Sequence, residues 1–179
     1  MPAEFLDSSR AAKGLETRTE AYLTQTLLPP PREYFAKIRI YLQRMTDTKR
    51  TTNGVHLLSQ LNLENGDSQI NAGPTIFKEP CESIRFRSGA QLSFGITLRS
   101  DGRNARLLSY RFYLSLLPAS GLRFVRIDLN APKDDYDPLH VPRCHLHPGF
   151  EGIHIPFPVM EPIAVLDRIV HVVEPHFVP

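Results

Sequence analysis

The run ARLLSYRFYLSLL at 105–117, followed after a short break by LRFVRIDLN at 122–130, decides the fold. In the first, Leu108, Tyr110, Phe112, Leu114 and Leu116 alternate with Ser109, Arg111, Tyr113 and Ser115. In the second, Val125, Ile127 and Leu129 alternate with Phe124, Arg126, Asp128 and Asn130. Successive side chains of a strand point to opposite faces, so a period of two predicts strands with one apolar and one polar side. The turn sequences DGRN (101–104) and PASG (118–121) bound the first run and make the pairing antiparallel.

The same period extends upstream. Ile84 and Phe86 alternate with Arg85 and Arg87, and Leu92, Phe94, Ile96 and Leu98 with Ser93, Gly95, Thr97 and Arg99. Downstream, CHLHP and GIHIPF read as two more short strands around a Pro-Gly turn. Outside this block the period is helical. Residues 32–46 place Tyr34, Phe35, Ile38, Tyr41, Leu42 and Met45 on one stripe, and 160–173 does the same with Ile163, Leu166, Ile169, Val170 and Val173. Pro31 and Pro162 suit first helical turns. Residues 9–28 predict a looser helix, weakened by Gly14, and 55–63 a further short one. The stretches 64–74 and 131–144 read as loops, the second acidic. Helices, then sheet, then helix predict an α+β fold: a four- to five-stranded antiparallel meander packed on N-terminal helices and a C-terminal helix. The expected organisation is an N-terminal helical arm at 1–30 and a single α+β domain at 31–179.

A chain of 179 residues with 41% hydrophobic and 22% charged residues suits one domain able to bury a core. Its two cysteines, Cys81 and Cys144, are too few for a disulfide framework. With no secretory signal and no apolar run long enough to span a bilayer, the expected compartment is the cytoplasm. The net charge of +2 conceals a contrast: residues 81–130 hold eight arginines against three acids, and 131–179 three bases against seven acids. Arginine's planar fork matches phosphate and carboxylate, so the basic block predicts an acidic partner, nucleic acid or protein. The alternative is a solubilised sheet surface.

Candidate chemistry converges on four residues. His145 and His147 share one strand face, as do Arg126 and Asp128, and sequential strands tend to be neighbours. If these two pair, Arg111, Tyr113, Arg126, Asp128, His145 and His147 project together. Such a face has the parts for metal-independent RNA cleavage. A histidine or a carboxylate takes the 2′-OH proton, a second histidine protonates the leaving 5′-oxygen, arginine stabilises the charge that develops on phosphorus, and Asp128 orients a histidine or an arginine. Tyr113 or Phe124 would stack an unpaired base. Arg85, Arg87, Arg99 and Arg111 would bind substrate phosphates. No cofactor is expected. The competing readings of the pair are a metal site completed by His140, His154, Asp128 or Cys144, and two polar residues on an exposed strand. The remaining histidines are isolated, Cys81 and Cys144 read as small buried hydrophobes, and phosphate-loop, dinucleotide, serine-hydrolase and zinc-protease motifs are missing.

The order of an aromatic strand, Arg126-x-Asp128, a loop, Pro142-x-x-His145-x-His147 and a Pro162-started helix resembles the TumE-like toxins of bacterial toxin–antitoxin modules over residues 105–173. The resemblance implies a small α+β toxin directed at RNA, with Arg126, Asp128, His145 and His147 at the matching positions. This chain is longer at its N-terminus than those toxins. Its extra helices are expected to form a homodimer or to receive an antitoxin, with RNA as a further partner and no membrane. Two other functions fit the same residues: a non-catalytic module docking an acidic protein or nucleic acid through its Arg-rich face, and a small His-x-His metalloprotein.

Overall fold

The computed structural model describes residues 8–63, 65–73, 83–132 and 141–176. Two helices, α1 (Ser8–Gln25) and α2 (Pro31–Asp47), precede the strands β1 (Leu58–Asn62), β2 (Asp67–Ala72), β3 (Ile84–Arg85), β4 (Gln91–Asp101), β5 (Asn104–Ser115), β6 (Phe124–Leu129), β7 (Cys144–Pro148) and β8 (Ile155–Pro156). Helix α3 (Pro162–Arg168) follows and runs through a π turn (Ile169–Val173) into a final turn, α4 (Glu174–His176). The architecture is α+β, as the change of period predicts. Among the described residues no helix is long and apolar enough to cross a membrane.

The sheet is larger than four or five strands. Eight antiparallel strands follow the order β1-β2-β4-β5-β6-β7-β8, with β3 paired to β4 beside that path. The surplus comes from the stretches read as a helix and a loop. Residues 54–57 make a single 3-10 turn, after which Leu58–Asn62 is extended. In β2, Asp67, Gln69 and Asn71 lie on the polar face and only Ser68, Ile70 and Ala72 turn inward. Two small residues around one isoleucine give an alternation too faint to read. The alternation of Ile84 and Phe86 with Arg85 and Arg87 yields a strand of only two residues, and Arg87 lies in the turn that follows. Leu108, assigned to the apolar side, is the extra residue of a bulge: Thr97 pairs with Ser109 but Leu98 with Leu107, so Leu107 enters the core.

The core lies between the apolar sheet face and the helices. Tyr34, Ile38, Leu42 and Met45 of α2 and Val165, Leu166, Ile169 and Val170 of the C-terminal helix join Ile70, Phe94, Ile96, Tyr110, Phe112, Leu114 and Ile127 from the strands. Phe112 is fully buried, with Phe94 and Tyr110 rings both 5.4 Å away. Truncating Ile38, which is also fully buried, to alanine would cost about 2–5 kcal/mol. The segment expected as an arm is packed down. Leu23 and Leu28 are core residues, Leu28 and Ala105 exchange backbone hydrogen bonds of 2.9 and 2.8 Å, and Glu20 forms an ion pair with Arg143. With one sheet face covered by helices, the other is left for the polar side chains of β2, β4, β5, β6 and β7.

Candidate functional site

Strand register assembles the site. Asn71, Gly95, Arg111, Asp128, His145 and Pro156 are successive cross-strand partners from β2 to β8. Ser93, Tyr113, Arg126 and His147 form the next row on the same face. All six residues of the expected cluster therefore project from one side. Cys144 points to the other, where its sulfur lies 3.4 Å from the Tyr110 hydroxyl. Burial pushes that thiol up to about 11, so it stays protonated at neutral pH.

Asp128 is the hub. It is 2% exposed and accepts from Arg111 Nε at 3.1 Å and Arg126 Nε at 2.8 Å. Its Oδ2 also lies 3.6 Å from His145 Nε2 and 3.5 Å from His147 Nε2. Arg126 spreads its fork over three partners, since a terminal nitrogen is 2.6 Å from His147 Nε2 and another meets Glu151. A guanidinium only donates, so His147 Nε2 accepts at that contact. His145 Nδ1 lies 2.5 Å from the Pro142 carbonyl oxygen, which only accepts, so Nδ1 carries the proton and Nε2 faces the cluster with its lone pair.

His154 completes the group. The turn after β7 passes through Gly149 at φ +80°, where a Cβ would lie 3.2 Å from Leu122. Glycine suits both the angle and the space, and the turn returns the chain so that His154 stands against the strand histidines. Ring centroids are 4.8 Å apart for His145 and His147, 4.9 Å for His145 and His154, and 4.6 Å for His147 and His154, all edge to face. Burial lowers the proton affinity of His145 below the ordinary imidazole value, with the Pro142 hydrogen bond and Asp128 opposing. Burial also lowers that of His147, and the charge of Arg126 adds to it. Both shifts favour the neutral form of the strand imidazoles, which leaves less of the protonated form to donate a proton. The general-acid role expected of one of them is thus the harder role for this environment to support.

The expected substrate residues divide. Tyr113 and Phe124 stack at 5.1 Å and 21°, with Phe124 buried and Tyr113 half-buried beside Arg126. Arg111 borders a cavity of about 270 Å³ that Gln69, Gly95, Thr97, Ser109, Asp128 and Asn130 also line. Neither strand histidine lines it, so the hollow adjoins the cluster through Arg111 and Asp128 and does not surround the imidazoles. Arg99 is on the same face but four positions along β4 from Gly95, and is paired to Asp67. Arg85 is exposed and pairs with Gln91, whose row continues through Ser115 to Phe124. Arg87 is exposed outside any strand. His140, one candidate third metal ligand, lies outside the described residues, as does Cys81.

Sequence reasoning missed Glu151 and the Pro142 carbonyl, and left His154 as one of four alternatives. A usable signal existed, because His147 and His154 flank a Pro-Gly turn. A hairpin closed there brings residues on either side of the turn together. Compared with family models, curated proteins and solved structures, the chain matches none.

Proposed function

We propose that the protein is a toxin-like, RNA-directed protein of a bacterial toxin–antitoxin or defence system, with the polar face of β5, β6 and β7 as its working surface. The single observation that carries this reading is the two-row alignment Arg111–Asp128–His145 and Tyr113–Arg126–His147. It offers what phosphodiester cleavage in RNA asks for. A neutral imidazole is available as base, two guanidinium groups flank the place where charge develops, and an aromatic pair lies beside them for an unstacked base. The resemblance of residues 105–173 to TumE-like toxins supports the same substrate class. An antitoxin or a second copy would bind at the N-terminal helices, and the protein would act in the cytoplasm.

A non-catalytic docking module is the second reading. It is favoured by the depth of the histidines: His145 is 2% and His147 0% exposed, so a partner meets Arg111, Arg126 and Tyr113 first. One experiment separates the two. Wild type, His145→Ala and Arg126→Ala are induced in a bacterial host, with growth, soluble folded protein and total RNA followed. The catalytic reading expects arrest with RNA loss in wild type and relief in both folded variants. Arrest without RNA loss transfers the assignment to the docking module. No arrest and intact RNA overturns the toxin reading.

A further inference from the structure

We infer that His145, His147 and His154 form a three-imidazole centre for one divalent transition-metal ion of the zinc type, with a fourth position left open. Their ligand nitrogens all lie within 4.8 Å of one another. Three Zn–N bonds of about 2.0–2.1 Å in tetrahedral array set those nitrogens about 3.4 Å apart, so the three rings need to draw in by about 1 Å. The member outside the paired strands is the one free to adjust. His154 belongs to the half-buried return of the Pro148-Gly149 turn, while the other two are fixed by strand pairing.

Three further observations point to a cation and not merely to three packed rings. First, His147 is fully buried, yet its Nδ1 has no hydrogen-bond partner. Because Nε2 accepts from Arg126, a neutral His147 carries its proton on Nδ1; ligation there moves that proton to Nε2 and turns Arg126 aside onto Asp128 and Glu151, and the metal bond then removes the cost of about 1–3 kcal/mol of a buried nitrogen without a partner. Second, His145 is oriented as a ligand: Nδ1 donates to the Pro142 carbonyl, which fixes the tautomer and turns Nε2 toward the cluster. Metal-binding histidines are held in this way by backbone carbonyls and carboxylates. Third, Asp128 Oδ2 stands 3.6 Å from that Nε2, so a lone pair and a carboxylate face one another with no proton between them. Positive charge placed among the three rings relieves that opposition. Asp128 itself is held by two arginines, which leaves it to steady the ligands.

Imidazole ligands suit zinc, copper, iron and nickel over the hard cations. Three protein ligands with an open fourth position is the arrangement of catalytic centres, whereas structural zinc is closed by four. The centre goes beyond the RNA reading: when it is filled, both strand imidazoles are ligands and are withdrawn from the proton-transfer roles given to them there. It stands or falls without reference to any nucleic acid.

The test uses tag-free full-length protein, stripped with EDTA, dialysed against zinc, desalted and assayed for metal. Wild type is expected to retain one zinc per chain and to melt at a higher temperature than the stripped form. His154→Ala, a loop substitution, is expected to weaken retention about tenfold or more while far-ultraviolet circular dichroism stays native. His56→Ala and His171→Ala, remote from the cluster, retain zinc as wild type does. If His154→Ala does not fold, His154→Gln keeps the volume and loses the imidazole, and it carries the same expectation. Wild type without retained zinc, or retention indifferent to residue 154, overturns the proposal. Since no RNA is present, this outcome is independent of the growth assay.

Discussion

Two aspartates sit on the polar face of the same sheet, and they have little else in common. Asp67 in β2 is 4% exposed and takes a bidentate fork from Arg99 at 2.9 and 3.2 Å. Asn65 closes its other side with two hydrogen bonds, 2.9 and 3.1 Å, in an Asx turn. Among the described residues every partner is local or on the next strand. Asp128 in β6 is equally buried, but it gathers Arg111 from one neighbouring strand and two histidines from the other. A buried carboxylate with an arginine is therefore no mark of function. The mark is convergence: four side chains from three strands meet one carboxylate, and the buried His147 Nδ1 beside it has no hydrogen-bond partner.

The comparison breaks most readily at the aspartates themselves. Asp128→Ala removes one of the two carboxylates that hold Arg126, whose side chain is only 14% exposed, and is expected to lower unfolding free energy by about 1–3 kcal/mol. Asp67→Ala releases Arg99 into solvent, since that side chain is 57% exposed, and the loss is expected to be smaller than the first. Urea titrations of both stripped proteins check this; equal losses would show that the two sites are energetically alike.

Acid sharpens it next. The Arg99 hydrogen bonds hold the Asp67 carboxyl below the usual aspartate range. Its folded value lies below its unfolded one of about 4. The stability it contributes is thus present above that unfolded value and lost as pH falls through the folded one. Asp67→Asn is expected to flatten the acid limb of the stability curve below about pH 4, leaving the neutral region nearly unchanged. A limb as steep as that of wild type would remove Asp67 from the account.

The arginines give the smallest stability effect. Arg111 and Arg99 are similarly exposed, at 48% and 57%, and each faces a buried carboxylate that keeps another partner, Arg126 or Asn65, so each loss is expected at about 1 kcal/mol. Arg111→Gln and Arg99→Gln are expected to melt within a few degrees of wild type, yet only Arg111→Gln should relieve growth arrest. Relief by both would spread the working surface across the whole face.

How much of this was legible follows from where the signal lay. Residues 91–129 announce their strands because large apolar residues occupy every second place. In β2 the inward positions are Ser68, Ile70 and Ala72, and the strand went unseen. The row-by-row assembly of Arg111, Asp128 and His145 could be reasoned from alternation and neighbouring strands alone. Depth could not. Nothing in CHLHP says that both imidazoles are shut from water, because that follows from a return loop whose position depends on Gly149 and on the pairing of Glu151 with Arg126. His154 belonged to the group for the same non-local reason. Arg99 looked equivalent to Arg111 as a phosphate ligand until its partner on the unseen strand appeared.

Proline at the far strand has a consequence for assembly. Beyond β7 the sheet ends in two residues, Ile155 and Pro156, with Pro158 close behind. Neither proline carries an N–H, so this border cannot template another strand. Among the described residues β1 pairs with β2 alone, and Leu61 beside that border is 53% exposed. Among the described residues the sheet is polarised: addition of foreign backbone is blocked at the histidine end and not at the opposite one. Any tendency to pair edge to edge is thereby kept five strands away from the imidazoles.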